Sequence, residues 1–215
     1  MEIANNLNQH KSQIIKVLTA NNWRHFRDYF FIKENFLKNN LDDESQRRFC
    51  SYYVMNVHMN TPEKKVFFDL LQKKEMGLKN ILKKLHTERR KLFLSFGTKL
   101  LHTINEKLPI YDRNIAYILK LSAQTYPASP EERIKNRIDI YEELKNGFKM
   151  LLANTEIKYY LKSIRRELQN KARIDKFNWQ DKFISDTKLL DSLLWALYPI
   201  LKNGASISVP RGVLG

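Results

Sequence analysis

Lys99 and Asp112 are the residues of this sequence whose types and setting could do chemistry. Lys99 follows Gly97, which interrupts an apolar run where a backbone turn or a close approach is needed, and it opens a short helix with one apolar face. Pro109 forces a break, and Asp112 then stands at the N-terminus of a helix predicted for Arg113 to Leu121. A lysine amine becomes a good nucleophile when burial or a cationic neighbour depresses its pKa. The sequence thus presents a lysine and an aspartate from two successive helix starts.

Both residues also have ordinary structural interpretations, which the sequence leaves open. Aspartate is a favoured N-cap, and capping alone would account for Asp112 with a contribution of about 1 kcal/mol. Lys99 could be one solvated lysine among 38 Lys and Arg residues. The chemical interpretation requires that Lys99 and Asp112 face one accessible cavity.

Two motifs resemble those of the helix-hairpin-helix DNA glycosylase superfamily, the fold of the 8-oxoguanine DNA glycosylases. Gly97-Thr98-Lys99 is similar to the family's Gly-x-Lys segment, and the run from Pro109 to Ile115 is similar to its Pro-Val-Asp-x-x-Val segment. The resemblance covers Leu92 to Leu119, inside a hairpin-like region at about 78–121. It implies that Lys99 attacks the sugar carbon of a damaged nucleotide, while Asp112 supports the positive charge that develops on the sugar. The target base would be flipped into a pocket.

The charge of the chain indicates a polyanionic partner. The formal net charge is +15 with a pI near 9.8, which favours nucleic acid first and an acidic membrane surface second. From Pro62 to Lys107, Lys and Arg number 12 whereas Asp and Glu number 5. We predict DNA as the partner. The residues expected to contact it are Gly97, Thr98, Lys83, Lys84, Arg89, Arg90, Lys91, Arg113, Lys162, Arg165 and Arg166.

Several other kinds of site are excluded by composition and motif. The single cysteine, Cys50, excludes a disulfide framework within the chain, a multi-cysteine zinc site and an iron-sulfur cluster. The five histidines form no metal-binding pair of the His-Glu-x-x-His or His-x-x-x-His type. Phosphate-binding, dinucleotide-binding and serine-hydrolase motifs do not occur. We therefore predict no metal and no cofactor.

The apolar pattern predicts an all-α fold of about eight to ten helices. Long 3.6-residue periods, with only six glycines and six prolines, favour helices throughout the chain. We expect one domain at 1–204 and a mobile tail at 205–215. The resemblance implies two helical lobes with a basic cleft between them. Thr61-Pro62-Glu63 is a strong helix start, and the Leu-rich helix after Ser185 is expected to be central. Without an 18-residue apolar run or a signal-like N-terminus, we expect a cytoplasmic protein.

Three functions stay open on the sequence alone. A base-excision glycosylase and AP lyase is the first, and His102, one helical turn after Lys99, is a candidate for lining its pocket. A non-catalytic nucleic-acid-binding or interaction module is the second, and it needs only an exposed basic surface. A helical protein with an acidic protein partner is the third, and it would show no preference for DNA. The loop around Trp179 could stack on bases, although anchoring against the core is the simpler interpretation.

Overall fold

The helices of this computed structural model occupy most of the chain that it describes, which comprises residues 2–86 and 93–203. Within those residues there is no strand, which confirms the all-α prediction. Short 3-10 turns lie at Met55–Val57 and Asp181–Phe183. The ten α-helices of the described residues are α1 Glu2–Gln9, α2 Lys11–Leu37, α3 Asp43–Tyr52, α4 Thr61–Gln72, α5 Leu78–His86, α6 Leu94–Ile104, α7 Arg113–Ile118, α8 Pro130–Ala153, α9 Thr155–Ile174 and α10 Asp186–Asn203.

The helix starts follow from local capping chemistry. Asn60, rather than the predicted Thr61, is the N-cap of α4: its side chain accepts from the Glu63 amide at 2.9 Å, and the Glu63 carboxylate accepts from the Asn60 amide at 2.6 Å. Ser129 caps α8 ahead of Pro130. Asp112 caps α7, as its position before Arg113 predicted. α1 was not anticipated from the sequence.

α6 differs from the predicted short helix in a way that matters for the site. It begins at Leu94, so Gly97 lies inside the helix and Lys99 in its middle rather than at its start. Gly97 permits the close approach that the sequence suggested, because a Cβ there would lie only 3.2 Å from Leu78 Cδ1 on α5. The glycine is therefore explained by helix–helix packing.

One hydrophobic core connects all ten described helices. α10 is central to it, as expected, and packs against α2, α7 and α9. Its fully buried leucines, each worth roughly 1.5–3 kcal/mol of burial, are Leu189, Leu190, Leu193, Leu194 and Leu197. Trp179 packs with its ring centroid 5.0 Å from that of Phe26 and 5.7 Å from that of Phe30, so the core-anchored interpretation of its loop is confirmed. The predicted tail at 205–215 lies outside the described residues.

A break inside α2 helps to form the site. Ala20 is extended and the three residues Asn21–Trp23 are left-handed, which divides the element into two helical stretches. Trp23 is held there by a hydrogen bond from its indole Nε1 to Asp175 Oδ2 at 2.8 Å. Arg24, His25 and Asp28 follow the break directly, and all three line the cavity described below.

The two helical glycines give a matched test of the packing of α5 against α6. At Gly147 in α8 an added Cβ would meet only Leu119 Cδ1, at an ordinary 3.7 Å. We expect Gly147→Ala to stabilise the fold by about 0.5–1 kcal/mol through helix propensity. Gly97→Ala should be less stable than Gly147→Ala by about 1 kcal/mol or more, because α5 has to move. Urea unfolding of both variants measures the difference, and equal stabilisation would refute the close-approach explanation.

Candidate functional site

Lys99 and Asp112 line the same cavity, which has a volume of about 260 Å³. α2, α3, α6, α7 and α10 each contribute to its wall. Its charged lining residues are three cations and three carboxylates, namely Arg24, Lys99, Lys188, Asp28, Asp112 and Asp191. The cavity is thus balanced in charge, unlike the basic cleft expected from the sequence. The two residues singled out by the motifs nevertheless share one site.

Lys99 is partly buried, and its surroundings favour the neutral amine. Burial lowers the pKa of Lys99 to about 8, Asp112 and Asp191 oppose this decrease, and Lys188 adds to it. At neutral pH the fraction of uncharged amine is therefore roughly three hundred-fold higher than for an ordinary lysine. Nζ lies 4.6 Å from the centroid of the Phe96 ring.

A strained turn supplies the hydrogen bond of Lys99. Nζ donates to the carbonyl oxygen of Tyr53 at 3.2 Å. The next residue, Val54, has φ 55° and ψ 37°, a left-handed conformation that costs a β-branched residue on the order of 1–2 kcal/mol. The turn ends α3 at the cavity wall and places the Tyr53 carbonyl within reach of the lysine. No carboxylate of the described residues bonds directly to Nζ, so the amine is held by a neutral acceptor.

Asp112 is both an N-cap and a lining residue of the cavity. Its Oδ1 accepts from the Asn114 amide at 2.7 Å, which confirms the capping interpretation. The carboxylate also acts electrostatically on Lys99 and on Asp191. The structural and the chemical interpretations of Asp112 are therefore compatible.

Two buried hydrogen bonds, made by Tyr111 and Pro109, fix the chain between α6 and α7. Thr98 Oγ1 accepts from the Tyr111 amide at 2.9 Å and donates to the Ser95 carbonyl at 3.0 Å. The Tyr141 hydroxyl donates to the Pro109 carbonyl at 3.2 Å. Together with the burial of Ile110 and Tyr111, these bonds position Asp112 next to α6.

His102 belongs to the core and does not line the cavity, so that expectation was wrong. The side chain is fully buried, and burial lowers the pKa of His102 to about 3. A neutral ring must donate from Nδ1 to the Leu108 carbonyl, at 2.7 Å, and accept at Nε2 from the Tyr29 hydroxyl, at 3.2 Å. His102 thus supports the loop that leads to Asp112.

Lys188 and Asp191 are site residues that the motif analysis missed. Lys188 Nζ lies 3.0 Å from Asp191 Oδ2, and both side chains are almost completely buried. The pKa of Asp191 is raised by burial, against the effect of Lys188. Asp191 Oδ1 accepts no hydrogen bond from the residues that the structure describes. The sequence signal for them is two opposite charges three residues apart in a Leu-rich helix, and it does not by itself show that they are buried.

A histidine and a tryptophan form an aromatic wall beside this pair. The rings of His25 and Trp195 are stacked, with centroids 5.4 Å apart and an interplanar angle of 16°. His25 Nε2 lies 3.0 Å from Ser192 Oγ, and burial, with a smaller effect of Lys188, lowers the pKa of His25 well below its usual value. The cavity therefore combines a flat aromatic surface with buried charges.

The predicted nucleic-acid contacts are placed in three different ways. Gly97 and Thr98 are buried, so direct contact with a phosphate is not available to them. Arg165 is committed to internal bonds with Asp181 and Asp186, at 2.9 and 2.8 Å. The predicted contacts that are exposed on the surface are Lys83, Lys84, Arg113, Lys162 and Arg166. Arg89, Arg90 and Lys91 lie outside the described residues. None of the predicted contacts within the described residues lines the cavity.

Comparison of the chain with protein-family models, curated proteins and solved structures found no match. No helix among the described residues combines the length and apolarity needed to cross a membrane. In the same part of the chain, no group of three or more His, Cys, Asp or Glu side chains could hold a metal ion. Functional inference thus depends on the residues of the site itself.

The lowered pKa of Lys99 predicts a pH-dependent gain of stability when its charge is removed. The unfolded chain, with the usual lysine pKa of 10.5, binds more protons than the folded chain between pH 8 and 10.5. Lys99→Met should therefore raise the free energy of unfolding at pH 7 by on the order of 1–3 kcal/mol. The gain should diminish as pH rises from about 8 towards 10.5. Urea unfolding across this range measures it.

An exposed lysine of α8 provides the control for that experiment. Lys149→Met should change stability little at any pH, because Lys149 is exposed. A loss of stability at pH 7 in Lys99→Met, or a gain that does not depend on pH, would contradict the burial of a charged lysine.

Arg165 is bonded within the protein, whereas its neighbour Arg166 is exposed, so their alanine variants distinguish a structural role from a role in DNA binding. Arg165→Ala should lower stability by roughly 1–3 kcal/mol, because Asp181, Asp186 and the Ile184 carbonyl lose their shared donor. Arg166→Ala should change stability by less than about 0.5 kcal/mol. Thermal unfolding and DNA affinity are to be measured on both variants. A loss of affinity in Arg165→Ala without loss of stability would restore its predicted role.

Proposed function

We propose that this protein binds DNA and carries out base excision with AP-lyase chemistry, as the resemblance to helix-hairpin-helix DNA glycosylases implies. Lys99 is the nucleophile and Asp112 is the carboxylate that stabilises positive charge on the sugar. One observation carries the proposal: Lys99 and Asp112 face one cavity, and burial there lowers the pKa of Lys99 to about 8. An enzyme of this kind requires both residues at one cavity, whereas a non-catalytic binding protein needs only an exposed basic surface.

The chemistry begins with the neutral amine. Its lone pair forms a bond to C1′ of the target nucleotide while the glycosidic bond breaks, and the base leaves with the bonding electrons. Positive charge on the sugar grows before the new bond is complete, and the nearby Asp112 carboxylate stabilises it. The attached amine gives one proton to the departing base. As the C1′–O4′ bond breaks, the nitrogen lone pair forms a C=N bond and the second amine proton passes to O4′, which gives a Schiff base. In the elimination that nicks the strand, C2′ loses a proton and the 3′ phosphate leaves with the bonding electrons.

The dimensions of the cavity fit a single extruded nucleotide. Its volume of about 260 Å³ is slightly below the roughly 300–1,000 Å³ of sites for drug-sized ligands. Two aromatic side chains of its lining, His25 and Trp195, offer apolar contact to a base. Duplex DNA itself has to remain outside, so the target base must be flipped.

DNA binding is supported by the charge of the chain and by its exposed cations. The net charge of +15 attracts a polyanion, and Arg113 is exposed directly beside Asp112. Phosphate contacts by exposed cations would make the affinity fall steeply with salt concentration.

The balance of charge within the cavity favours a second candidate, a nucleic-acid-binding module without chemistry. Arg24, Lys99 and Lys188 are matched by Asp28, Asp112 and Asp191, and the surface cations among the predicted contacts lie outside the cavity. Such a protein would hold DNA by surface charge alone.

Borohydride trapping tests the proposal. The protein is incubated with duplex and single-stranded DNA that carries an abasic site or 8-oxoguanine, and the mixture is then reduced. We expect a covalent protein–DNA adduct that is lost in Lys99→Ala and retained in Lys149→Ala. Asp112→Asn, which keeps a capping side chain, should slow adduct formation on the order of 10²-fold.

The other results distinguish the alternatives. Salt-sensitive DNA binding without an adduct on any substrate would overturn the chemistry and support the non-catalytic module. Equal affinity for DNA and other polyanions would instead favour an acidic protein partner.

A further inference from the structure

A second buried lysine–aspartate pair lies in the wall of the cavity that holds Lys99. Lys188 and Asp191 are 2 % and 5 % exposed, and they project from α10, a helix rich in buried leucines. Lys188 Nζ also lies 4.7 Å from the ring centroid of Tyr29. The chemistry proposed for Lys99 and Asp112 leaves this pair without a role.

Stability is a poor explanation for such a pair. The cost of removing two charges from water offsets much of their attraction, and apolar replacements of buried pairs are often at least as stable. Asp191 Oδ1 has no hydrogen-bond partner among the described residues, which adds to that cost. A charge pair at this place therefore calls for a functional explanation.

The pair and Lys99 act on each other through the low-dielectric cavity. The carboxylates of Asp112 and Asp191 favour the ammonium form of Lys99, whereas the Lys188 cation disfavours it. While Lys188 is bonded to Asp191 at 3.0 Å, the two charges largely cancel at a distance. Without Lys188, Asp191 would be a buried carboxylate without its bonded cation, in a cavity that Lys99 also lines.

We propose that Lys188 is a positioning residue: by keeping Asp191 engaged, it prevents this carboxylate from stabilising the ammonium form of Lys99 and leaves the amine free to react. The use of that amine on DNA rests on the proposed function, whereas its charge state can be measured without DNA.

The other titratable groups around the cavity are present in every variant, although Lys188 also contributes to the lowered pKa of His25 and opposes the raised pKa of Tyr53. On α2, Arg24 and Asp28 pair with each other at 3.5 Å, and burial lowers the pKa of His25. At the end of α3, burial raises the pKa of Tyr52 and of Tyr53, so both phenols are neutral at pH 7. Asp112, on the cap of α7, is present in every variant considered.

Competitive acetylation of amines, read by mass spectrometry over a range of pH, measures the titration midpoint of Lys99. In the unaltered protein we expect it at about 8. Lys188→Met should raise it by roughly one unit or more, because Asp191 then pairs with Lys99. Asp191→Asn should lower it, and the double variant should return close to the unaltered midpoint.

Lys188→Arg is the matched control, since it keeps the cation and should keep the low midpoint. Unchanged midpoints in both single variants would overturn the proposal, as would shifts in the same direction. If Lys188→Met does not fold, Asp191→Asn decides, because its midpoint must fall while that of Lys188→Arg does not move.

Borohydride trapping with the same variants separates this inference from the proposed function. With both correct, adduct formation at pH 7 should be roughly tenfold slower in Lys188→Met and unaffected in Lys149→Met, whose lysine is exposed and outside the cavity. Opposite midpoint shifts without any adduct in the unaltered protein would leave the charge control established and overturn the DNA chemistry. An adduct in the unaltered protein, with unchanged Lys99 midpoints in the variants, would support the DNA chemistry and overturn the role of Lys188.

Discussion

The hydrogen bond from the Tyr111 amide to the hydroxyl of Thr98 joins the two halves of the site. Thr98 precedes Lys99 on α6, and Tyr111 precedes Asp112 at the start of α7, so one bond at 2.9 Å holds the two candidate site residues relative to each other. Both bonded residues are buried, and breaking the bond would leave an unpaired amide in the core at a cost of about 1–3 kcal/mol. His102 reinforces the same loop through the Leu108 carbonyl. Thr98 therefore holds two helices together within the protein and does not lie where DNA could contact it.

Burial of charge governs the rest of the cavity. A lysine can act as a nucleophile near neutral pH only where its ammonium form is destabilised. The burial that would make the Lys99 amine reactive therefore lowers the stability of the folded chain. The left-handed Val54 adds strain at the same wall. The large core around α10 provides the stability that offsets these local costs. Of the six charged lining residues, only Lys188 and Asp191 are buried, and their bond to each other limits the penalty of burying them.

The sequence predicted what depends on local chemistry and missed what depends on tertiary packing. The all-α fold and the caps at Asp112 and Ser129 follow from periodicity and from neighbouring residues. Lys99 and Asp112 could be named from their motifs, and the structure brings both to one cavity. Gly97 was recognised as a close approach, but only the packing shows that α5, at 3.2 Å, is what approaches. Lys188 and Arg165 resemble ordinary surface cations in sequence, because nothing local shows that they are buried or bonded across helices.

The most direct measurement is peptide mapping of the reduced adduct between this protein and abasic DNA. After borohydride reduction and digestion of the DNA, mass spectrometry locates the amine that carries the sugar remnant. If the cavity is a catalytic site, the remnant lies on Lys99. A remnant on Lys188, on the N-terminal amine or spread over the surface lysines would contradict the account.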